Sequence, residues 1–77
     1  MDIINVVRIN GGELGDVHSF DSSSVVAAEK KFIEVFNDMN SLRDITVSKE
    51  VLEESLDDGH YEIDGHYAVY IIWCKVN

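Results

Sequence analysis

The chain ends in "HYEIDGHYAVYIIWCKVN" (residues 60–77), and this stretch decides the fold. Asp64 and Gly65 form the Asp-Gly pair that is typical of a two-residue hairpin turn. The residues after this turn are rich in β-branched and aromatic side chains, which favour a strand. The sequence therefore predicts a hairpin in which Ile63 lies opposite His66.

The two faces of this hairpin differ in what they expose, because side chains alternate along a strand. One face is predicted to pack under the helices, and it holds Tyr61, Ile63, Ala68, Tyr70, Ile72, Cys74 and Val76. The other face is predicted to stay open, and it holds Tyr67, Val69, Ile71 and Trp73, joined by Ile4, Val6 and Phe20 of the first hairpin. An open apolar patch with a charged rim usually marks an interface. The alternative is that sheet twist and long rim side chains cover the patch.

A second hairpin is predicted near the start of the chain. Its parts are a strand "IINVVRI" (3–9), a turn "NGGELG" (10–15) and a return strand "DVHSF" (16–20). A three-residue loop that pairs Asn10 with Leu14 is preferred, because it sets Arg8 against Asp16 and one valine against another across the strands.

Two helices are predicted between the hairpins. The first follows "DSSS" (21–24), whose side-chain oxygens are good N-caps. Its apolar stripe at helical spacing consists of Val25, Ala28, Phe32, Val35, Phe36 and Met39. The second helix is predicted to begin near Ser48 and to stop at Gly59, with Val47 and Leu52 flanking its cap.

The element order is therefore β-β-α-α-β-β, in a single α+β domain that spans residues 1–77. The first and last strands are the most apolar, so they are predicted to form the central pair. The result is a two-layer fold with a four-stranded antiparallel sheet in the order 2-1-4-3 and two helices on one face.

The composition is strongly acidic. The 77 residues include 15 Asp and Glu against 6 Lys and Arg, a net charge of −9. Phosphate contacts need clustered Lys and Arg, so direct binding to nucleic acid is not expected. No membrane partner is expected either, because no apolar run is long enough to span a bilayer. The lone Cys74 fits a reducing compartment, and a cytoplasmic protein is expected.

The second helix concentrates this acidity on one side. Its carboxylates recur opposite the apolar positions and are Glu50, Glu53, Glu54, Asp57 and Asp58. Five carboxylates over about 12 Å of helix approach the charge of duplex DNA, which has about seven phosphates in that length. Acids at the C-terminal end of a helix also oppose its dipole. The face is either simply solvated or meets a basic partner.

No catalytic, cofactor or metal site is predicted. His60 and Glu62 share a strand face, but His66 points to the other one, and a closed zinc site needs four ligands. Cys74 and His66 are eight residues apart on one strand, roughly 26 Å, whereas a nucleophile and its base must lie about 3 Å apart.

Two segments, "SFDSSSVVAAEKKFIEVF" (19–36) and "LEESLDDGHYEIDGHYAVYI" (52–71), give the chain a resemblance to the small acidic accessory proteins of tailed bacteriophages. That group includes anti-CRISPR and other anti-defence inhibitors. The resemblance implies an inhibitor that binds a host enzyme, in some cases by mimicking DNA.

The expected function is thus that of a phage-encoded, non-catalytic inhibitor in the host cytoplasm. It would block a host nuclease or nucleic-acid-handling defence complex by meeting a basic surface. The alternative is a homo-oligomeric accessory domain that associates through its open sheet face. The expected partner-binding residues are Glu50, Glu53, Glu54, Asp57, Asp58, Tyr67, Val69, Ile71 and Trp73.

Overall fold

The fold is known from a computed structural model that describes residues 2–75. Its elements are β1 (Asp2–Asn10), β2 (Glu13–Asp21), a 3₁₀ turn (Ser22–Ser24), α1 (Val25–Ser41), α2 (Lys49–Asp58), β3 (His60–Ile63) and β4 (Tyr67–Lys75). The strands form one antiparallel sheet in the order β2-β1-β4-β3, and both helices pack on one face. The predicted α+β architecture and strand order are confirmed.

α2 begins and ends where local chemistry predicts, whereas Ser24 before α1 makes no side-chain cap hydrogen bond. The Ser48 hydroxyl accepts a 3.3 Å hydrogen bond from the Val51 backbone N–H, and α2 ends at Gly59 with φ of 77°. That left-handed conformation is one that glycine adopts without steric cost. The predicted apolar stripe of α1 packs in the core together with Val47 and Leu52 beside α2.

Asp21 caps the turn that leads into α1. Its carboxylate accepts hydrogen bonds from the hydroxyl and the backbone N–H of Ser23, and these two bonds lower the pKa of Asp21. The pKa of Asp21 is lower in the folded chain than its ordinary value. The cap therefore stabilises the fold at pH values above that ordinary pKa. The contribution is lost as the pH falls through the lowered pKa.

The turn of the first hairpin is one residue shorter than predicted. Gly11 and Gly12 form a two-residue turn with φ of 65° and 82°, and Asn10 pairs with Glu13. The predicted pairing of Asn10 with Leu14 is therefore wrong. Adjacent glycines favour this turn because both positions need positive φ.

A β-bulge then restores the predicted partner of Val7. The register shifts between Val7 and Ile9, so that Val7 still pairs with Val17. Gly15 lies at this bulge, where a Cβ atom would come within 3.1 Å of the Arg8 carbonyl oxygen. A Cβ contact this close is tighter than usual, so glycine allows the two backbones to approach without a local shift.

The second hairpin is shifted by one residue from the prediction. Asp64 and Gly65 have positive φ as expected, but Ile63 pairs with Tyr67 instead of His66. The His66 carbonyl oxygen accepts a 2.8 Å hydrogen bond from the Gly12 N–H, in the turn of the other hairpin. His66 lies outside the β3–β4 ladder, although its N–H donates to the Ile63 carbonyl oxygen at 3.2 Å. A one-residue shift moves every side chain of β3 to the opposite face.

The predicted assignment of sheet faces is also wrong. The helices cover the face that was predicted open, so Val69 is fully buried and Tyr67 and Ile71 pack against the core. Buried with them on the covered face are Ile4 and Val6 of β1, and Phe20, Tyr61 and Ile63 also pack there. The face predicted to be core lies away from the helices, with Tyr70, Ile72 and Cys74 on it. Val76, which was assigned to the same face, lies outside the described residues.

Polar residues explain which face is covered. Asn5 and Ser19 sit on the uncovered side, where the Ser19 hydroxyl donates a 2.6 Å hydrogen bond to Asn5 Oδ1. The register shift adds Glu62 to that side and gives Tyr61 and Ile63 to the covered side. The shift therefore adds two apolar side chains to the covered face, and apolar burial is the dominant stabilising term.

Asn40 links α1 to β3 from inside the protein. This buried amide donates to the Phe36 carbonyl oxygen at 3.0 Å, and its Oδ1 accepts from the Tyr61 hydroxyl at 2.9 Å. The Asn40 carbonyl oxygen also accepts from the Ile45 N–H at 2.9 Å, which anchors the connector to α2.

We expect Asn40→Ala to lower the free energy of unfolding by about 1–3 kcal/mol, because it leaves the Tyr61 hydroxyl without its partner. Urea denaturation measures the change. Tyr61→Phe is the matched control, because it removes the same hydrogen bond and keeps the ring that contacts Phe36 at 4.4 Å between centroids. An unchanged urea midpoint in Asn40→Ala contradicts this role.

Candidate functional site

The five carboxylates predicted on α2 are all exposed. We call them the acidic surface: Glu50, Glu53, Glu54, Asp57 and Asp58. The opposite side of the helix packs inward through Val51, Leu52 and Leu56. One ion pair within α2 reaches this surface, from Lys49 Nζ to Glu53 Oε1 at 3.9 Å, and both side chains are exposed. Exposed pairs of this kind contribute little, so the surface keeps its negative charge.

Three other basic side chains are engaged away from α2. Arg8 binds Asp38 at 2.7 Å, and Lys31 binds Glu34 at 3.1 Å. Arg43 lies over the Tyr67 ring at 3.3 Å from its centroid and also donates to a backbone carbonyl of α1. The C-terminal end of α2 adds the negative end of the helix dipole beside Asp57 and Asp58. The region around α2 is therefore strongly negative, since α2 itself contributes one lysine, Lys49, against five carboxylates.

The predicted apolar patch is not available as a surface. Val69 is fully buried, Ile71 packs against the core and Arg43 covers the Tyr67 ring. A partner could reach these three side chains only after the helices had moved away. Trp73 differs, since 54% of its surface is exposed.

Trp73 lies close to the acidic end of α2. The Ile71 N–H donates a 2.9 Å hydrogen bond to the carbonyl oxygen of Gly59, the residue that ends α2. Trp73 is two residues further along β4, about 7 Å at the usual strand rise, and on the same face as Ile71. Gly59 directly follows Asp58, so the end of α2 is bonded to β4 two residues before Trp73.

A different apolar surface is open, and sequence reasoning did not find it. We call it the uncovered sheet face: Ile3, Val7, Ile9, Leu14, Val17, Tyr70, Ile72 and Cys74. Leu14, Val17 and Ile72 are 66%, 49% and 43% exposed. The polar residues Asn5 and Ser19 between them were the feature that could have identified this side as the outer one.

A charged cleft lies between α1 and the first hairpin. It encloses about 150 Å³ and is lined by Arg8, Asp16, His18, Lys31, Glu34, Val35 and Asp38. Its two permanent cations already bind carboxylates of α1. The cleft therefore stabilises the packing of α1 on the sheet and has little free charge to offer a ligand.

The histidines near the second hairpin do not converge. His60 stacks on Tyr70 with ring centroids 6.0 Å apart, whereas His66 occupies the turn. Over residues 2–75, no three His, Cys, Asp or Glu side chains are grouped as metal ligands would be. In the same range, neither helix has the length and apolar character needed to cross a membrane.

Comparison of the chain with protein-family models, with curated proteins and with solved structures finds no match.

Proposed function

We propose that this protein is a non-catalytic inhibitor that binds a basic surface of another protein through the acidic surface of α2. The observation that supports the proposal best is the exposure of all five carboxylates with only one weak ion pair among them. Folding stability does not account for acids at the C-terminal end of a helix, where they oppose the dipole. A cationic partner does account for them.

The partner that fits this surface is a protein whose Lys and Arg side chains normally hold nucleic acid. Glu50 and Asp58 are about 12 Å apart along the helix axis, a length over which DNA presents a similar number of charges. By occupying the cationic site, the protein excludes the nucleic acid. With the phage resemblance of the sequence, this favours a phage-encoded inhibitor of a host nuclease or defence complex, acting in the host cytoplasm.

Affinity capture from a bacterial host lysate tests this proposal. The baits are the wild-type chain and a variant with Glu53→Gln, Glu54→Gln, Asp57→Asn and Asp58→Asn. The lysate is treated with nuclease so that nucleic acid does not bridge proteins. We expect the wild type alone to retain a nuclease or defence subunit, and the purified wild type to inhibit its binding of nucleic acid. Equal capture by both baits contradicts the proposal.

The second candidate function is self-association through the uncovered sheet face. It is favoured by the exposure of Leu14, Val17 and Ile72 on one side of the sheet. Apolar side chains gathered on an open face are a common feature of dimer interfaces. A homo-oligomeric accessory domain would use this surface, and the acidic surface would then serve only solubility.

Val17→Lys should convert such an oligomer to a monomer, because it places a charge within the apolar contact. Sedimentation velocity over a range of protein concentrations measures the outcome. Val26→Lys is the matched control, since Val26 is 81% exposed on α1 and far from the uncovered sheet face. A wild-type chain that stays monomeric at all concentrations, or a Val17→Lys variant that associates like the wild type, contradicts this candidate.

A further inference from the structure

β4 extends past the end of its neighbour β3. The β3–β4 ladder ends at the pair His60–Tyr70 and one further bond, from the Ile71 N–H to the Gly59 carbonyl oxygen. Backbone groups of alternate residues point to the same side of a strand, so those of Trp73 point to the same edge as those of Ile71. In the described part of the chain, no strand pairs with this edge of β4 beyond Ile71.

The other outer edge of the sheet is protected. β2 contains the bulge at Gly15, and its residues include Glu13, Asp16 and Asp21. Bulges and charged side chains are common means of preventing a further strand from pairing. The overhang of β4 (72–75) has no bulge and no acidic residue; its one charged side chain is Lys75, and Trp73 within it is 54% exposed.

We propose that the edge of β4 at Trp73 binds an extended, Lys- or Arg-containing segment of the partner protein as an added strand. This inference rests on the proposed function and specifies how the partner engages. An unpaired strand edge selects an extended chain, because only that conformation satisfies alternate donors and acceptors. The charge of the segment follows from Asp57 and Asp58, which precede Gly59 and outnumber Lys75, the one charged residue of the overhang. An arginine in the segment can also stack on Trp73.

Synthetic peptides provide the first test. The probe is an eight-residue peptide of alternating Arg and Val with blocked ends. The control has the same sequence with N-methyl groups on alternate amides, which removes backbone hydrogen bonds and keeps the charge. We expect the probe to slow hydrogen exchange of the Trp73 amide at least tenfold and the control to bind at least tenfold more weakly. Absence of probe binding, or equal binding of the control, overturns the proposal.

A pair of variants separates the contribution of the Trp73 backbone N–H to peptide binding from that of its side chain. Trp73→Ala and Trp73→Pro both remove the indole, but only proline removes the N–H that faces the open edge. Proline is tolerated at such edge positions because no hydrogen bond within the sheet is lost. We expect Trp73→Ala to remain folded and to bind the probe a few-fold more weakly than the wild type. Trp73→Pro should bind at least tenfold more weakly than Trp73→Ala, and equal binding by the two variants overturns the proposal.

The variant with Glu53→Gln, Glu54→Gln, Asp57→Asn and Asp58→Asn, called the four-carboxylate variant, distinguishes this inference from the proposed function. If that variant loses the probe while N-methylation has no effect, the edge proposal fails and the acidic surface stands. If it binds the probe as tightly as the wild type, the acidic surface is not required and the basic character of the segment is refuted. Protection of the Trp73 amide in the peptide-free protein, together with dimerisation, would make a second copy the occupant and overturn the proposal.

Discussion

Val69→Asp should abolish cooperative folding, whereas Ile72→Asp should leave a folded protein. The two residues lie three positions apart on β4 and therefore on opposite faces. Val69 is fully buried, but Ile72 is 43% exposed on the uncovered sheet face. A carboxylate buried without a partner costs several kcal/mol. That is comparable to the whole stability of a small domain, which is about 5 kcal/mol at the low end of the usual range.

Urea denaturation followed by circular dichroism measures both variants. Ile72→Asp should shift the transition by about 1 kcal/mol, the difference in strand propensity, and keep its cooperativity. Val69→Ala is a useful companion, since it shortens the same buried side chain without adding charge. If Ile72→Asp unfolds and Val69→Asp does not, the helices cover the other face of the sheet.

Strand order and helix limits could be predicted because each depends on local chemistry. The Asp64–Gly65 pair sets a turn, Ser48 caps a helix and Gly59 ends it. The apolar stripe of α1 follows from helical spacing alone. These features involve residues a few positions apart, which a sequence pattern displays directly.

The register of the second hairpin could not be predicted, because it involves a contact between two distant turns. The hydrogen bond from the Gly12 N–H to the His66 carbonyl oxygen joins the two hairpins, and no local sequence pattern predicts it. It accompanies the one-residue shift of the β3–β4 register, which changes the face of every β3 side chain. Asn5 and Ser19 were the sequence feature that indicated the uncovered face, since a polar pair across two strands is more easily accommodated there.

The candidate site was predictable to the same extent as the fold. Exposure of the α2 carboxylates follows from helical spacing, and all five are exposed. Trp73 was predicted accessible for the wrong reason. It is exposed because β4 overhangs β3 at the edge of the sheet, whereas its whole face was predicted to be open.

Neutralising four carboxylates of α2 should weaken partner binding about 30-fold. The variant carries Glu53→Gln, Glu54→Gln, Asp57→Asn and Asp58→Asn. Four exposed ion pairs at about 0.5 kcal/mol each amount to about 2 kcal/mol, and 1.4 kcal/mol is about a tenfold change in affinity. The fold should be as stable as the wild type or slightly more stable, because repulsion at the end of the helix is relieved.

A control variant separates the effect of the charges on α2 from the effect of the net charge of the protein on partner binding. Glu13→Gln, Glu29→Gln, Asp44→Asn and Asp64→Asn remove the same number of charges from exposed positions outside α2. Asparagine suits the last two positions, where φ is 53° and 55°, since it tolerates positive φ. The control should bind within a few-fold of the wild type, because screening limits the reach of exposed charges to about 10 Å at 0.1 M salt.

The most direct test is the dissociation constant for the captured partner, measured for the wild type, the four-carboxylate variant and the control from about 0.1 M to about 1 M salt. The account predicts that wild type and control bind tightly at low salt and lose affinity as salt rises. It predicts that the four-carboxylate variant binds weakly throughout. Equal affinities for the wild type and that variant at every salt concentration would contradict the account, because the acidic surface of α2 would then contribute nothing to binding.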